Sequence, residues 1–415
     1  MPSMVLSREL GEMSPEKPKR FDPSLLGAMQ APEESSGNTG PEEQYASSGS
    51  VSDNQPSPVL ESRGPAELSD MGNLSQLGSE LAKVLQDEGY HPVILFGTNN
   101  SGKTSILMSL FATISSEPIL EAGLALCDPI LGTRSDVARL LHREAENTFH
   151  IKTQAFLAGE KIPKTSTPLP FFIPLEFRPP NGPNVKLAFM ESNGEWYRPL
   201  ISDGSRIGDA EKLYPELRAE IESFISGFQN GITFIYAAPV TQGEVYAASE
   251  NVHDNKEVGY ASLAIKGVLQ TYDRIRANGR AQDKHLLLLT KWDALSARSA
   301  DRAESISAAH DEVMTVCRKR YAQALTAFQG LNIDPSQQNI NAFCAGMINE
   351  RGLLALKHDD PVKGVIASYP VRLWSYLYKN ALADAGLEPV SPFKEPPKPS
   401  PLVRLFRKLL DWISG

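Results

Sequence analysis

The chain has 415 residues and a formal net charge of −9, long enough for a large core and more than one small domain requires. That acidic balance argues against a protein that coats nucleic acid, and no nucleic-acid partner is expected. Cys127, Cys317 and Cys344 lack disulfide or metal-ligand spacing and read as buried thiols of a reducing compartment. No apolar run reaches the ~18 residues that a membrane span needs. The first residues show neither the apolar core of a signal peptide nor a transit-type charge run, so a cytoplasmic location is the expectation.

Residues 1–72 are rich in Pro, Ser, Gly and Glu and poor in aromatics, a composition that predicts a disordered segment. From residue 73 to 85 a helix is predicted, with Leu74, Leu77, Leu81 and Leu85 near one face and Asn73 as its cap. Residues 93–96 form a short apolar run that reads as a buried strand. It leads into Gly97-Thr98-Asn99-Asn100-Ser101-Gly102-Lys103-Thr104, a complete GxxxxGK[ST] string, and residues 105–111 then open a helix. Strand, glycine loop and helix together make a phosphate site. Backbone amides around Gly97, Asn100, Ser101, Gly102 and Ser105 can turn toward an anion, and the helix adds its positive end. Lys103 can reach the β- and γ-phosphates, and the Thr104 hydroxyl can ligate Mg²⁺.

Further along, residues 136–144 read as a helix. Residues 171–178 and 185–190 are apolar runs separated by the turn-forming stretch 179–184, which predicts a hairpin. The hairpin delivers Glu191-Ser192-Asn193-Gly194-Glu195. A helix is expected over 210–225, a strand over 232–237 and a helix over 261–276. The apolar strand 285–289 ends in Thr290-Lys291-Trp292-Asp293. One carboxylate at Asp293 can accept from both donors of guanine, the ring N1–H and the exocyclic amine, and the Lys291 stem can lie along the base plane. Adenine lacks that donor pair and would leave polar groups unpaired, so the site discriminates. A helix over 299–328, a strand over 340–346 ending in Cys344-Ala345-Gly346, and a helix over 371–385 follow. Strands alternating with helices give an α/β fold: a mostly parallel sheet with one antiparallel hairpin and helices on both faces.

The folded domain is therefore bounded at 73–386. Residues 387–401 read as a Pro-rich linker; the stretch from Pro389 to Pro401 holds six prolines and predicts an extended spacer. Residues 402–415 form an amphipathic tail helix, with Leu402, Leu405, Phe406, Leu409 and Ile413 on one face and Arg404, Arg407 and Lys408 mostly opposite. Three readings stand for it: packing on its own domain, docking to an effector or regulatory protein, and lying on an anionic membrane surface at the inner face. The histidines are scattered, with no HExxH, CxxC or Ser/His/Asp set, and read as structural or solvated.

Through the phosphate loop and the TKWD string the chain resembles the Ras-like, TRAFAC-class P-loop GTPases. It is most similar to divergent bacterial GTPase domains of signalling and conflict systems. The resemblance covers roughly residues 88–350, specific in the first and fourth family boxes and loose in the second and third. It implies GTP and GDP as ligands with Mg²⁺, in-line attack of water with Lys103 neutralising the developing charge, and loops that release a partner protein after hydrolysis. In the third box Gly194 takes the place of the glycine that meets the γ-phosphate. Glu191 stands where the family has Asp, one methylene longer, as an indirect Mg²⁺ ligand. Glu195 falls where Ras carries the glutamine that orients water, and a carboxylate cannot donate as an amide does, so slow hydrolysis is expected. The switch threonine that would join Thr104 and Glu191 around the metal is Thr167, with Thr165 as the alternative. Ala345 is the fifth-box residue whose N–H would meet the guanine oxygen. Residues from about 115 to 163 read as an insertion over the nucleotide, serving as a lid. Two rival functions remain: a nucleotide-binding interaction protein with little hydrolysis, and an ATPase of another P-loop class.

Overall fold

β1 (His91–Phe96) is buried at all six positions, and its run from Val93 to Phe96 is continuously apolar, as a strand covered on both faces demands. In the computed structural model, which describes residues 74–98, 100–117, 120–132, 135–163, 165, 167, 169–192, 215–240, 252–292, 310–336, 339–348, 354–355 and 363–393, this strand lies at the centre of a seven-stranded sheet. The expected disorder of residues 1–72, the cap Asn73, Gly194, Glu195, Asp293 and the tail helix 402–415 lie outside the described residues.

β4 (Val185–Glu191) and β5 (Thr233–Pro239) flank β1, both parallel to it. β6 (Lys284–Thr290) and β7 (Ile340–Ala342) continue the parallel sheet beyond β5. On the other side come β3 (Phe171–Arg178) and the edge strand β2 (Gly123–Leu126), giving the order β2-β3-β4-β1-β5-β6-β7. The predicted hairpin is β3–β4, with Phe171 opposite Glu191 and Phe177 opposite Val185. Beyond that hairpin, β3 also pairs antiparallel with the edge strand β2, Gly123 opposite Arg178 through Leu126 opposite Leu175. β2 is half-buried at every position, so its sequence Gly-Leu-Ala-Leu carries none of the alternation that announces a strand. It also lies inside the stretch read as an insertion, which therefore contributes to the sheet itself. A separate two-stranded ladder pairs β8 (Met347–Ile348) with β9 (Leu354–Ala355).

The helices are α1 (Leu74–Asp87), α2 (Lys103–Ser116), α3 (Asp136–Glu146), α4 (Thr153–Ala158) and α5 (Pro215–Gly227). α6 (Val252–Ile275), α7 (His310–Arg320), α8 (Ala322–Gly330) and α9 (Lys363–Asp384) complete them. A π-helical turn, Asn147–Lys152, joins α3 to α4. α2 is buried nearly all round, as befits a helix enclosed by others. α9 lies against α2: the Trp374 indole donates to the Leu110 carbonyl at 2.9 Å and stacks on Phe177 with ring centroids 4.7 Å apart. α1 packs on α5 so closely that a Cβ at Gly78 would come 2.2 Å from the Glu220 carbonyl. No helix among the described residues is long and apolar enough to cross a membrane.

Several boundaries differ from expectation. The helix predicted over 299–328 is two helices within its described part, separated at Tyr321, whose φ of −123° is not helical and whose buried hydroxyl donates to Pro239 O at 2.6 Å. That anchor on the end of β5 outweighs the helical propensity around it. The last helix, expected over 371–385, begins at Lys363 and runs through Pro370. The folded domain also reaches past residue 386. Phe393 is buried against Phe177, and Ser391 O accepts from the Asn181 amide at 2.8 Å, so the first residues of the presumed linker belong to the core.

Candidate nucleotide site

β1, β4, β5, β6 and β7 are parallel, so their carboxyl ends share one edge of the sheet. The chain leaves β1 for the β2–β4 side and then crosses to β5 on the other side. Ligands of open α/β sheets bind at such a reversal, outside the strand ends. The predicted phosphate loop lies there.

Its backbone is shaped by three special positions. A Cβ on Gly97 would fall 2.3 Å from Ser101 Oγ and 3.0 Å from Ala237 O, so any side chain there would displace Ser101 and crowd the Ala237 carbonyl. Gly102 adopts φ 94°, and Asn100 also takes the left-handed region at φ 58°. α2 then starts at Lys103 without a side-chain cap, its first internal bond running from Ile106 N–H to Gly102 O at 2.9 Å. The leading amides of a helix have no acceptor above them and carry its positive end. Thr104 and Ser105 occupy that first turn, both half-buried.

Lys103 is buried, and its ammonium donates to Gly97 O at 2.6 Å and to Thr98 O at 3.1 Å. Burial lowers its pKa to about 8, opposed by the negative charge of Glu191. The Thr104 hydroxyl donates to Glu191 Oε1 at 2.8 Å. Glu191 ends β4, is 2% exposed, and its Oε2 has no partner among the described residues. Burial pushes this carboxyl above its usual range, while Lys103, Lys152 and the Thr104 hydroxyl pull it back. Among the described residues no group of three or more His, Cys, Asp or Glu could hold a metal by itself. A hydroxyl beside a carboxylate with an orphaned oxygen does suit Mg²⁺, which takes few protein ligands and completes its shell with phosphate oxygens and water.

At the other side of the loop, Thr290 ends β6 and its hydroxyl donates to Ser101 O at 2.6 Å. The end of β6 is thereby tied directly to the predicted phosphate loop. Lys291 turns at φ 58°, and Trp292 is buried with its backbone N–H donating to Phe343 O at 3.4 Å. Phe343 N–H donates in turn to Leu289 O at 2.8 Å, and half-buried Ala345 follows two residues later, beyond the end of β7. The strand expected over 340–346 is shorter, Ile340–Ala342, its register with β6 ending where Ala342 lies opposite Leu289.

The two candidate switch threonines are held differently. Thr167 is buried and its hydroxyl accepts from Leu169 N–H at 3.0 Å, a local turn. Thr165 Oγ1 accepts from the Lys152 ammonium at 2.8 Å. Sequence reasoning missed Lys152. It closes the π-helical turn and is 2% exposed, while its apolar neighbour Ile151 is 56% exposed. A helical reading that buries the apolar side chain and solvates the charged one has these two reversed. The discord itself was the available signal, but only the π-helical register exposes it. Compared with models of known protein families and with curated proteins, the chain matches none.

Proposed function

We propose that the chain is a GTP-binding protein of Ras-like type that hydrolyses GTP slowly in the presence of Mg²⁺ and controls a partner protein. The observation that carries this reading is the convergence at one edge of the sheet: the left-handed Gly102, buried Lys103, and Thr104 bonded to Glu191 on one side, and Thr290 bonded to Ser101 on the other. The hairpin beside β1, ending in Glu191, supports the Ras-like assignment. In this reading the α2 amides and Lys103 hold the β- and γ-phosphates, and Thr290, Lys291, Asp293 and Ala345 receive guanine. Thr104, Glu191 and a switch threonine would hold Mg²⁺, which would supply positive charge against that of the phosphate oxygens. Water attacks the terminal phosphorus in line as the bond to the diphosphate oxygen breaks, yielding GDP and phosphate. Gly194 would steady the terminal phosphate. Glu195 offers no amide to the water, so unaided turnover belongs on the ~10⁻⁴–10⁻³ s⁻¹ scale.

A second reading, a GTP-dependent interaction protein that scarcely hydrolyses, is favoured by the same Glu195. Both readings place the protein in the cytoplasm, with the tail helix 402–415 as the contact to a partner or to the membrane surface. The deciding experiment is competition among GTP, GDP and ATP for the full-length chain with Mg²⁺, followed by single-turnover hydrolysis. Guanine nucleotides should win by roughly 100-fold or more. Equal competition by ATP or ADP would remove the guanine assignment, and turnover at several per second would remove the slow-enzyme one.

A further inference from the structure

The buried ammonium of Lys152 is incompletely matched. An ammonium carries three donors. Among the described residues its only hydrogen bond is to the neutral hydroxyl of Thr165. Glu191 and Glu144 act on it through their charge, but neither forms an ion pair with it among the described residues. Burying a charge this way is costly unless something pairs with it. The unpartnered Oε2 of Glu191, also buried, is a second incompletely satisfied group in the same cluster. Two cations, Lys103 and Lys152, therefore act on one carboxylate at the end of β4.

The fold directs Lys152 there. Its π-helical turn leans on α2, the helix that Lys103 opens: Phe149 meets Phe111 at 5.5 Å between ring centroids, and the Thr153 hydroxyl lies 3.6 Å from Met108 Sδ. β4 and β6 stand on opposite sides of β1 in the sheet. The TKWD segment marks the β6 side as the base end of the site. The β4 side, with Glu191, Thr165 and Lys152, is then the end where a nucleotide's last phosphate would lie.

We propose that Lys152 is a second phosphate-binding cation, supplied by the stretch between α2 and β3, that contacts the terminal phosphate of a bound nucleoside triphosphate. This rests on the phosphate-loop reading and goes beyond it. The insertion becomes a reader of the triphosphate: Lys152 exchanges its bond to Thr165 for the phosphate, and the diphosphate leaves it where it is now.

The test uses the full-length chain, GDP and a non-hydrolysable GTP analogue, and the variants Lys152→Met, Lys152→Arg and Lys103→Ala. Lys152→Met should weaken the triphosphate roughly 10- to 100-fold, the scale of a lost charge-assisted hydrogen bond, and leave GDP within about threefold. Lys152→Arg should restore part of the loss. Lys103→Ala should weaken both nucleotides. If Lys103→Ala does so while Lys152→Met changes neither, or both equally, Lys152 is a structural pin and the proposal fails alone. If Lys103→Ala changes nothing, the phosphate-loop reading fails and takes this one with it. Hydrogen exchange over residues 147–158 of the wild-type chain gives an answer that does not depend on a variant folding. Protection should rise with the triphosphate analogue and not with GDP; equal protection by both overturns the proposal.

Discussion

At Lys103 the cost of burial and the chemistry of the site meet. A lysine with a pKa of about 8 keeps its proton at neutral pH only narrowly, because two carbonyls and a neighbouring carboxylate replace bulk water imperfectly. A phosphate placed beside it favours the charged form, so the pKa rises on binding. The sign follows. Below about pH 8 both free and bound protein carry the proton, and affinity is flat. Above it the free protein has lost the proton and must regain it to bind, so affinity falls as pH rises, by at most about tenfold per unit. Titration calorimetry of GDP between pH 7 and 9 should show this slope and proton uptake from the buffer. Lys103→Ala should lose most of the slope along with its affinity. A slope identical in the two proteins would place the titration elsewhere.

At the scale of elements, β5 and β6 carry an analogous conflict that serves stability alone. His285 lies inside the sheet layer, stacked on Phe234 at 5.1 Å, with its Nδ1 3.0 Å from the Tyr236 hydroxyl. Burial drives its pKa down to about 3. The folded chain thus stays neutral there, while the unfolded chain takes up a proton near the ordinary histidine value of about 6.5. Protons then favour unfolding, and this group's contribution is lost progressively as pH falls from about 6.5 toward 3. The limiting slope is about 1.4 kcal/mol per pH unit. His285→Gln keeps a partner for Tyr236 and removes the titration, so urea unfolding at pH 7, 5.5 and 4.5 should give a flatter acid dependence in the variant. Parallel pH profiles would mean that other groups govern acid unfolding. Elements also show where sequence patterns lose their grip. Strands β1, β3, β4, β5 and β6 were legible because two-sided burial writes them as apolar runs. β2 and the π-helical turn were not, because an edge strand of four half-buried residues has no pattern and a π-turn moves side chains off the 3.6-residue period.

Across the whole molecule, the site was legible wherever chemistry depends on fixed local spacing. The strand before Gly97, the helix that opens at Lys103 and the strand that ends at Thr290 are where local spacing places them. What could not be read were contacts between distant segments, such as Lys152 with Thr165 or the Thr290 hydroxyl with Ser101 O, since spacing along the chain carries no record of them. The same limit misplaced the end of the domain. Prolines at 389 and 392 suggested a spacer starting after residue 386, yet the chain turns back onto β3 and α9. Phe393 is 7% exposed with its ring centroid 6.1 Å from that of Phe177, which itself packs on Trp374 and Tyr378, and Val390 joins the same cluster. Losing a buried aromatic of this kind costs about 3–5 kcal/mol where the site cannot collapse. Ending the chain after residue 393 should therefore leave thermal unfolding and nucleotide binding unchanged. Ending it after residue 386 should lower the melting temperature by several degrees, and Phe393→Ala in the full-length chain should reproduce most of that loss. Equal melting temperatures for the two truncations would return residues 387–393 to the linker.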